Sequence, residues 1–554
     1  MRPTGRHRPL PDRPPASHGP ELRAAARHFG RRRFLTLTAV AAAVAFAAHL
    51  PATGAAAARE LDAARIADDP FTLGVASGDP LPHSVILWTR VAPVPYEPGG
   101  GLAGQSVAVS WEVARDERFA SVVRSGTTLA LPEYNHTVHV DVQGLDPGRT
   151  YYYRFRTGAW ISETGRTRTA PAPASAVTAL SFAAVSCQAY FDGYYTAHRH
   201  LARDDVDMVL HLGDYLYEYA VNSVGGARNH TDRVLPDVFD RETVTLEEYR
   251  LRYALYKSDP DLRAVHAAHP FVVTWDDHET ENNYAGAVDE HGSPPEEFLL
   301  RRAAAYRAYW EHQPLRFARR PVGPDLPLYR RLHWGTLAQF DILDTRQYRS
   351  DQAYGDGKHV PGPESDDPAR TMTGAAQERW LIDGWRASDA LWNVMPQQAC
   401  FSQRKPDPDA QAPMSMDAWD GYRASRARIL AGARSAGVEN LMVLTGDVHV
   451  GYAFDIKDDF DEPASRTVGT EIVATSVSSG GDGAERPASW QTYLTANPHL
   501  RYYNGRRGYV RVRLDRDRAR ADFRTVSAVT TPGAPVSTAA SFVTEAGNPG
   551  LVPV

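Results

Sequence analysis

Six short apolar runs recur through the later part of the chain: Ala179–Val185, Met208–Leu212, Phe271–Trp275, Phe340–Asp344, Trp392–Met395 and Leu441–Thr445. They are apolar at most positions instead of alternating, the pattern of strands covered on both faces. Helix candidates, among them Glu297–His312 and Ala375–Ala387, lie between them. Strands separated by crossovers predict an α/β domain, and ligands of such domains gather outside the carboxyl ends of the strands. Gly508–Arg524 reads as two closing strands, and the tail Thr531–Val554 carries no motif.

Upstream, Glu60 to Thr169 reads as short β-rich runs separated by turn residues, among them Ser84–Trp88, Val107–Trp111 and Thr137–Asp141. A Pro-Gly turn at Pro147-Gly148 precedes the alternating aromatic strand Tyr151–Phe155. That pairing resembles the tyrosine corner of immunoglobulin or fibronectin III-like sandwiches. The predicted fold is therefore an α/β domain preceded by an all-β domain that packs on it. Thr169–Ala174 is the expected linker. Residues 1–30 are basic and proline-rich, and Arg31-Arg32-Arg33-Phe34-Leu35 opens an apolar run to Leu50 that ends near Ala55–Ala58. This order is that of an export signal, resembling the twin-arginine type. His49, Pro51 and the weak hydrophobicity of alanine argue against a membrane anchor. The expected divisions are 1–58 signal, 59–172 β domain, 175–530 catalytic domain and 531–554 tail.

Composition narrows the partners. Apolar residues are 43% and charged residues 23% of the 554, which excludes disordered, collagen-like and polytopic membrane chains. Beyond residue 58 the chain has 52 basic and 65 acidic side chains, a balance of −13 that does not favour nucleic acid or an anionic bilayer. Two cysteines, Cys187 and Cys400, are too few for a disulfide framework and leave open one bridge, buried thiols or a ligand.

Nearly every predicted strand ends in a group able to bind a metal or move a proton: Ser186-Cys187, Gly213-Asp214 with Tyr217, Asp276-Asp277-His278-Glu279, Asp344 with Arg346, and Gly446-Asp447 with His449. Singly, each reads as a buried thiol, a turn former or an ordinary histidine. Repeated at equivalent topological positions, charged groups on one sheet edge would repel unless a cation neutralised them, which points to a polynuclear metal site. Ala197–His200 reads as a solvated helix, His266 and His269 as helix-end residues, and Cys400 as a buried thiol.

With Phe71–Asp79, His211–Tyr215, Trp275–Glu279, Asn282-Asn283 and Leu343–Gln347, these motifs make the chain resemble the PhoD family of alkaline phosphatases and phosphodiesterases, within the calcineurin-like metallophosphoesterase superfamily. The resemblance implies an α/β sandwich of two mixed sheets flanked by helices, and Fe3+ held by Cys187, Asp214, Tyr217 and His449, beside one or two Ca2+ on oxygen ligands. Asp214 would bridge, Asp447 would serve calcium, and either Asp277 or Asn282 would complete that side. It further implies a metal-held hydroxide attacking phosphorus in line, with His278 donating a proton to the leaving alkoxide. Arg346 would clamp a phosphate oxygen or else pair with nearby acids. Tyr215, Glu279 and Gln347 would be structural, and Ala285–Glu296 and Arg349–Arg370 loops at the site mouth. The implied partners are phosphate-ester small molecules, with phospholipid or teichoic-acid-like diesters as candidates, and the twin-arginine export machinery; a secreted monomer is expected. Two alternatives stand beside this: phospholipase D-type hydrolysis behind an apolar entrance of Trp275, Tyr190, Phe191, Tyr194 and Tyr195, and a non-enzymatic cell-surface binding protein.

Overall fold

A computed structural model describes residues 60–221, 228, 235–409 and 411–554, so the expected export segment lies outside the described residues. Two mixed sheets dominate. The first has ten strands in the order Asn548–Pro553, Val536–Glu545, Arg518–Val526, Gly508–Asp515, Ala179–Val185, Met208–His211, Pro270–Val273, Val75–Leu81, Ser84–Arg90 and Thr137–Gln143. The second has seven, in the order Arg330–Trp334, Ala338–Ile342, Trp392–Pro396, Leu441–Thr445, Thr467–Val473, Gly451–Lys457 and Leu500–Asn504. Their centres are parallel: Met208–His211 pairs with Ala179–Val185 and Pro270–Val273, and Leu441–Thr445 with Trp392–Pro396 and Thr467–Val473.

The period-2 geometry of a strand explains why continuous apolar runs are needed. Leu180, Phe182 and Ala184 face the second sheet and pack with Phe340, Ile342, Val394, Met442 and Leu444. Phe182 and Phe340 meet edge to face at 5.4 Å. Ala183 and Val185 face the other way, into a core built with Tyr253, Tyr306 and Tyr309 of the helices Leu246–Lys257 and Pro295–His312. Leu246–Lys257 is fixed at its start by a capping box of Thr245 and Glu248. Pro295–His312 begins with proline in its first turn, where the missing N–H costs nothing.

Ala179–Val185 and Leu441–Thr445 have the expected limits. The run Phe271–Trp275 is instead a strand at Pro270–Val273, which frees Thr274–Glu279 to form the loop carrying the Asp-Asp-His-Glu motif. Two differences concern domain limits. The tail is not structureless, because Val536–Glu545 and Asn548–Pro553 extend the ten-stranded sheet past residue 530. The sheet also runs across the division at 172: Val75–Leu81 pairs in parallel with Pro270–Val273, Gly78 opposite Phe271. A Cβ at Gly78 would lie 2.6 Å from the Phe271 carbonyl oxygen, so the junction admits only glycine. Val107–Ala114, Val122–Ala130, Thr150–Thr157, Trp160–Ile161 and Gly165–Arg168 form a separate five-stranded sheet. It encloses a core with Val75, Val85 and Leu87. The Tyr151 hydroxyl accepts from the Asp146 N–H at 2.9 Å, the expected tyrosine-corner bond.

Candidate metal centre

The candidate ligands stand in the turns that leave the strands, and the backbone there is unusual. Cys187 (φ 58°), Asp214 (φ 55°), Asp447 (φ 65°) and His449 (φ 54°) are all left-handed. For non-glycine residues such conformations cost about 1–3 kcal/mol each and persist only where the surroundings impose them. Hydrogen bonds impose them here: Cys187 N–H donates to Gly213 O at 3.1 Å and Gln188 N–H to Asp214 O at 3.0 Å. Gly213 (φ 107°) admits no side chain, since a Cβ would lie 2.5 Å from Asp276 N. The Tyr217 segment is held by the helix Leu246–Lys257, where Arg252 donates to Tyr217 O and the Tyr256 hydroxyl accepts from Tyr217 N–H at 3.1 Å.

These turns bring the donors together. Cys187 Sγ, an Asp214 carboxylate oxygen and a His449 ring nitrogen lie within 4.8 Å of one another. The Tyr217 hydroxyl donates to Asp214 Oδ2 at 3.0 Å, lies 2.9 Å from His449 Nε2 and accepts from Ser479 Oγ at 2.9 Å. Asp214 also belongs to a second group, with Asp277 and His278. Burial, then the neighbouring Asp214, pushes the Cys187 thiol up; burial, Asp214 and Cys187 do the same to Tyr217. Asp214 is held well above the carboxylate range by burial and by Asp277, Glu279 and Asp447, although His278 opposes this. Asp447 is pushed up to about 6 by burial and Asp417. His449 is held down to about 3 by burial and the Arg507 charge, leaving a neutral imidazole able to coordinate. Asp214 Oδ1 and Asp276 Oδ2 are buried with no hydrogen-bond donor. A thiol, a phenol, an imidazole and crowded carboxylates with orphaned oxygens are a donor set that fits a cation.

His278 lies beside this cluster. Its Nδ1 is 2.8 Å from Glu218 Oε2 and its ring stacks on Tyr217 with centroids 4.1 Å apart. Burial alone would lower it, but Glu218, Asp277 and Asp214 more than offset that and hold it well above the usual histidine range. Of the two candidates for the calcium side, Asp277 joins the Asp214 group, whereas the Asn282 amide donates to Glu290 Oε2 at 2.6 Å.

Arg346 requires a correction. As a phosphate clamp it would need to reach the site mouth, yet it is 0% exposed and three of its five N–H groups are given to acids. Nε donates to Asp276, and Nη1 and Nη2 form a fork to Asp417 at 2.9 and 3.0 Å. It neutralises a buried acidic group, the second of the two roles considered for it. Four of the five aromatics expected at an apolar entrance do not line one among the described residues: Trp275, Tyr190 and Tyr195 are 0% exposed and Phe191 is 3%, all within the core, and Tyr194 alone is half-buried. His198 is not solvated; it is buried with Nε2 2.7 Å from Gln188 Oε1. Cys187 and Cys400 are both free and buried.

Glu279 accepts from the N–H groups of Asp214, Tyr215 and Asp276 at 3.1, 2.8 and 2.9 Å, and Gln347 donates to Asp344 at 3.0 Å. Three contributors escape sequence reasoning. Glu218 directly follows Tyr217 and could be found as an acid beside a candidate ligand. Ser479 and Asp417 reach the site from loops that carry no local signal.

Comparison with known proteins places these residues in a family. The model of the PhoD-like phosphatase family matches residues 182–523, and that of its N-terminal domain matches residues 54–171. Alkaline phosphatase D of Bacillus subtilis (strain 168) is 49% identical over 486 residues, which are 87% of this chain and 82% of that protein. A solved structure described as the structure of PhoD superposes with a TM-score of 0.84 at 49% identity, covering 88% of this chain and 92% of the other.

Proposed function

This chain belongs to the PhoD-like phosphatase family and is a phosphoester hydrolase, and from that premise we propose that it is an exported enzyme acting on phosphate mono- and diesters with Fe3+ and Ca2+ as its metals. The observation that carries the metal reading is the convergence of Cys187, Asp214, Tyr217 and His449 on one side and Asp214, Asp277 and His278 on the other. In this reading the thiolate and phenolate of Cys187 and Tyr217, with His449, hold iron, since strongly donating anions favour the ferric state. Asp214, common to both groups, would serve both metals, and Asp277 and Asp447 would supply oxygen to calcium. Bound there, the cations contribute Lewis-acid charge toward a phosphoryl group and toward water.

The protein's own groups do the rest. Glu218, on Nδ1 of His278, orients the ring and favours its charged form, so that Nε2 can pass a proton to the departing alkoxide. Ser479 donates to the Tyr217 oxygen and so favours the phenolate over the phenol. Arg346 fixes Asp276 and Asp417 beneath the site, opposing the burial that pushes the Asp276 carboxyl up and, with Arg349, holding the Asp417 carboxyl down. Neither alternative has comparable support. Of the five aromatic residues expected to greet a lipid, all but Tyr194 are core, and a purely structural metal site has no need of the Glu218–His278 pair.

Turnover of a nitrophenyl monoester, a bis-nitrophenyl diester and a choline lipid tests the substrate class. The first two are expected to be hydrolysed in a metal-dependent way; turnover of the lipid alone would refute the proposal.

A further inference from the structure

A second set of donors lies outside the catalytic cluster, on the segment between the Asp-Asp-His-Glu motif and the helix Pro295–His312. Glu281 is 1% exposed. Both of its carboxylate oxygens are buried without a hydrogen-bond donor; Oε2 is ion-paired with Arg301 Nη1 at 2.8 Å, and Oε1 faces His291. His291 Nε2 lies 3.5 Å from that orphaned oxygen and 3.6 Å from Glu290 Oε1. One donor atom from each of the three residues falls within 4.8 Å of the others. The other Glu290 oxygen accepts from the Asn282 amide at 2.6 Å, which fixes the carboxylate in place. The chain folds back to make this possible: Ala285 and Val288 exchange backbone hydrogen bonds at 2.9 Å, and Ser293 N–H donates to Asp289 at 2.7 Å.

The separations decide between two readings. An imidazolium paired with a carboxylate closes to about 2.7–2.9 Å. Both approaches here are longer than a hydrogen bond allows. A tetrahedral ion with ligands at about 2.0–2.2 Å holds its donor atoms roughly 3.3–3.6 Å apart, which is the spacing observed on both edges that involve His291. Two carboxylates and one imidazole suit a borderline cation such as zinc; calcium prefers an all-oxygen shell. Three protein donors leave a fourth position for water.

We propose that Glu281 Oε1, Glu290 Oε1 and His291 Nε2 form a zinc-type divalent cation site, separate from the catalytic centre, that ties the loop 282–290 back onto its own start. Asn282 connects the two regions, because its N–H donates to Glu218 Oε1 at 2.9 Å while Glu218 Oε2 holds His278. The new site thus braces the support of the proton donor without contributing to it.

The test uses the full chain with its catalytic metals in place, dialysed against buffered micromolar zinc and analysed for metal per chain. The wild type is expected to retain one more zinc per chain than His291→Ala or Glu290→Gln, and zinc is expected to raise its melting temperature but not theirs. Both side chains are partly exposed, so neither substitution leaves a core cavity; His291→Gln, with circular dichroism on all three variants, checks that the loss reflects ligation. Equal zinc content in wild type and variants would overturn the site, as would zinc uptake matched by loss of a catalytic metal.

Discussion

At the scale of the residue, His278 carries the clearest consequence. Its pKa is raised, so the Glu218–His278 interaction stabilises the fold fully below the ordinary histidine value and loses that contribution as pH rises through the elevated folded value. Glu218→Gln removes the leading favourable charge, and the alkaline limb of the kcat profile is expected to move to lower pH; an unchanged limb would deny His278 its role. His278→Ala is expected to cost about 10²- to 10⁴-fold in kcat, more for an alkyl ester than for a nitrophenyl ester, whose leaving group needs no proton. Arg346→Ala leaves Asp276 buried without its counter-charge and Asp417 with Arg349 alone, a loss of about 3–5 kcal/mol. A large fall in melting temperature is therefore expected, rather than the isolated rise in KM that a phosphate clamp would give. Cys187, Asp214, Asp447 and His449 could be picked out as candidates because each follows an apolar run by two to four residues. Whether a guanidinium is already engaged by buried acids is a tertiary fact, and the Leu343–Gln347 motif looks the same in either case.

At the scale of the element, the turn matters more than the strand. Ala179–Val185 and Leu441–Thr445 were readable from their composition because both faces are covered. The two tail strands were not, since residues 537–539 of Val536–Glu545 are exposed and its neighbour is the sheet edge. Gly213 has no such sequence signature, yet its turn fixes both Cys187 and Asp214. Gly213→Ala is expected to lower the metal content and melting temperature together, measured by elemental analysis and calorimetry. A variant with full metal content would mean that the turn tolerates a side chain and does not set the ligands.

At the scale of the whole molecule, the β-rich N-terminal region and the catalytic region are welded. Val75–Leu81 completes the large sheet, Arg330 pairs with Asp79 at 2.8 Å with both side chains 3% exposed, and Trp88 Nε1 donates to Glu311 O at 2.8 Å. The sequence showed two regions of different pattern but not the continuous sheet, because pairing between distant strands leaves no local trace. The proposed export route would carry such a protein across the membrane already folded. Replacing Arg31–Arg33 by lysine is expected to leave it in the cytoplasm; unchanged recovery outside the cell would exclude the twin-arginine route. The account rests most heavily on what Cys187 and Tyr217 hold, and the most direct test is metal content with the visible spectrum of protein purified without chelators. About one iron per chain with calcium, and a charge-transfer band lost in Tyr217→Phe or Cys187→Ser, is the expected result. Fully active protein with no iron and no such band would contradict it.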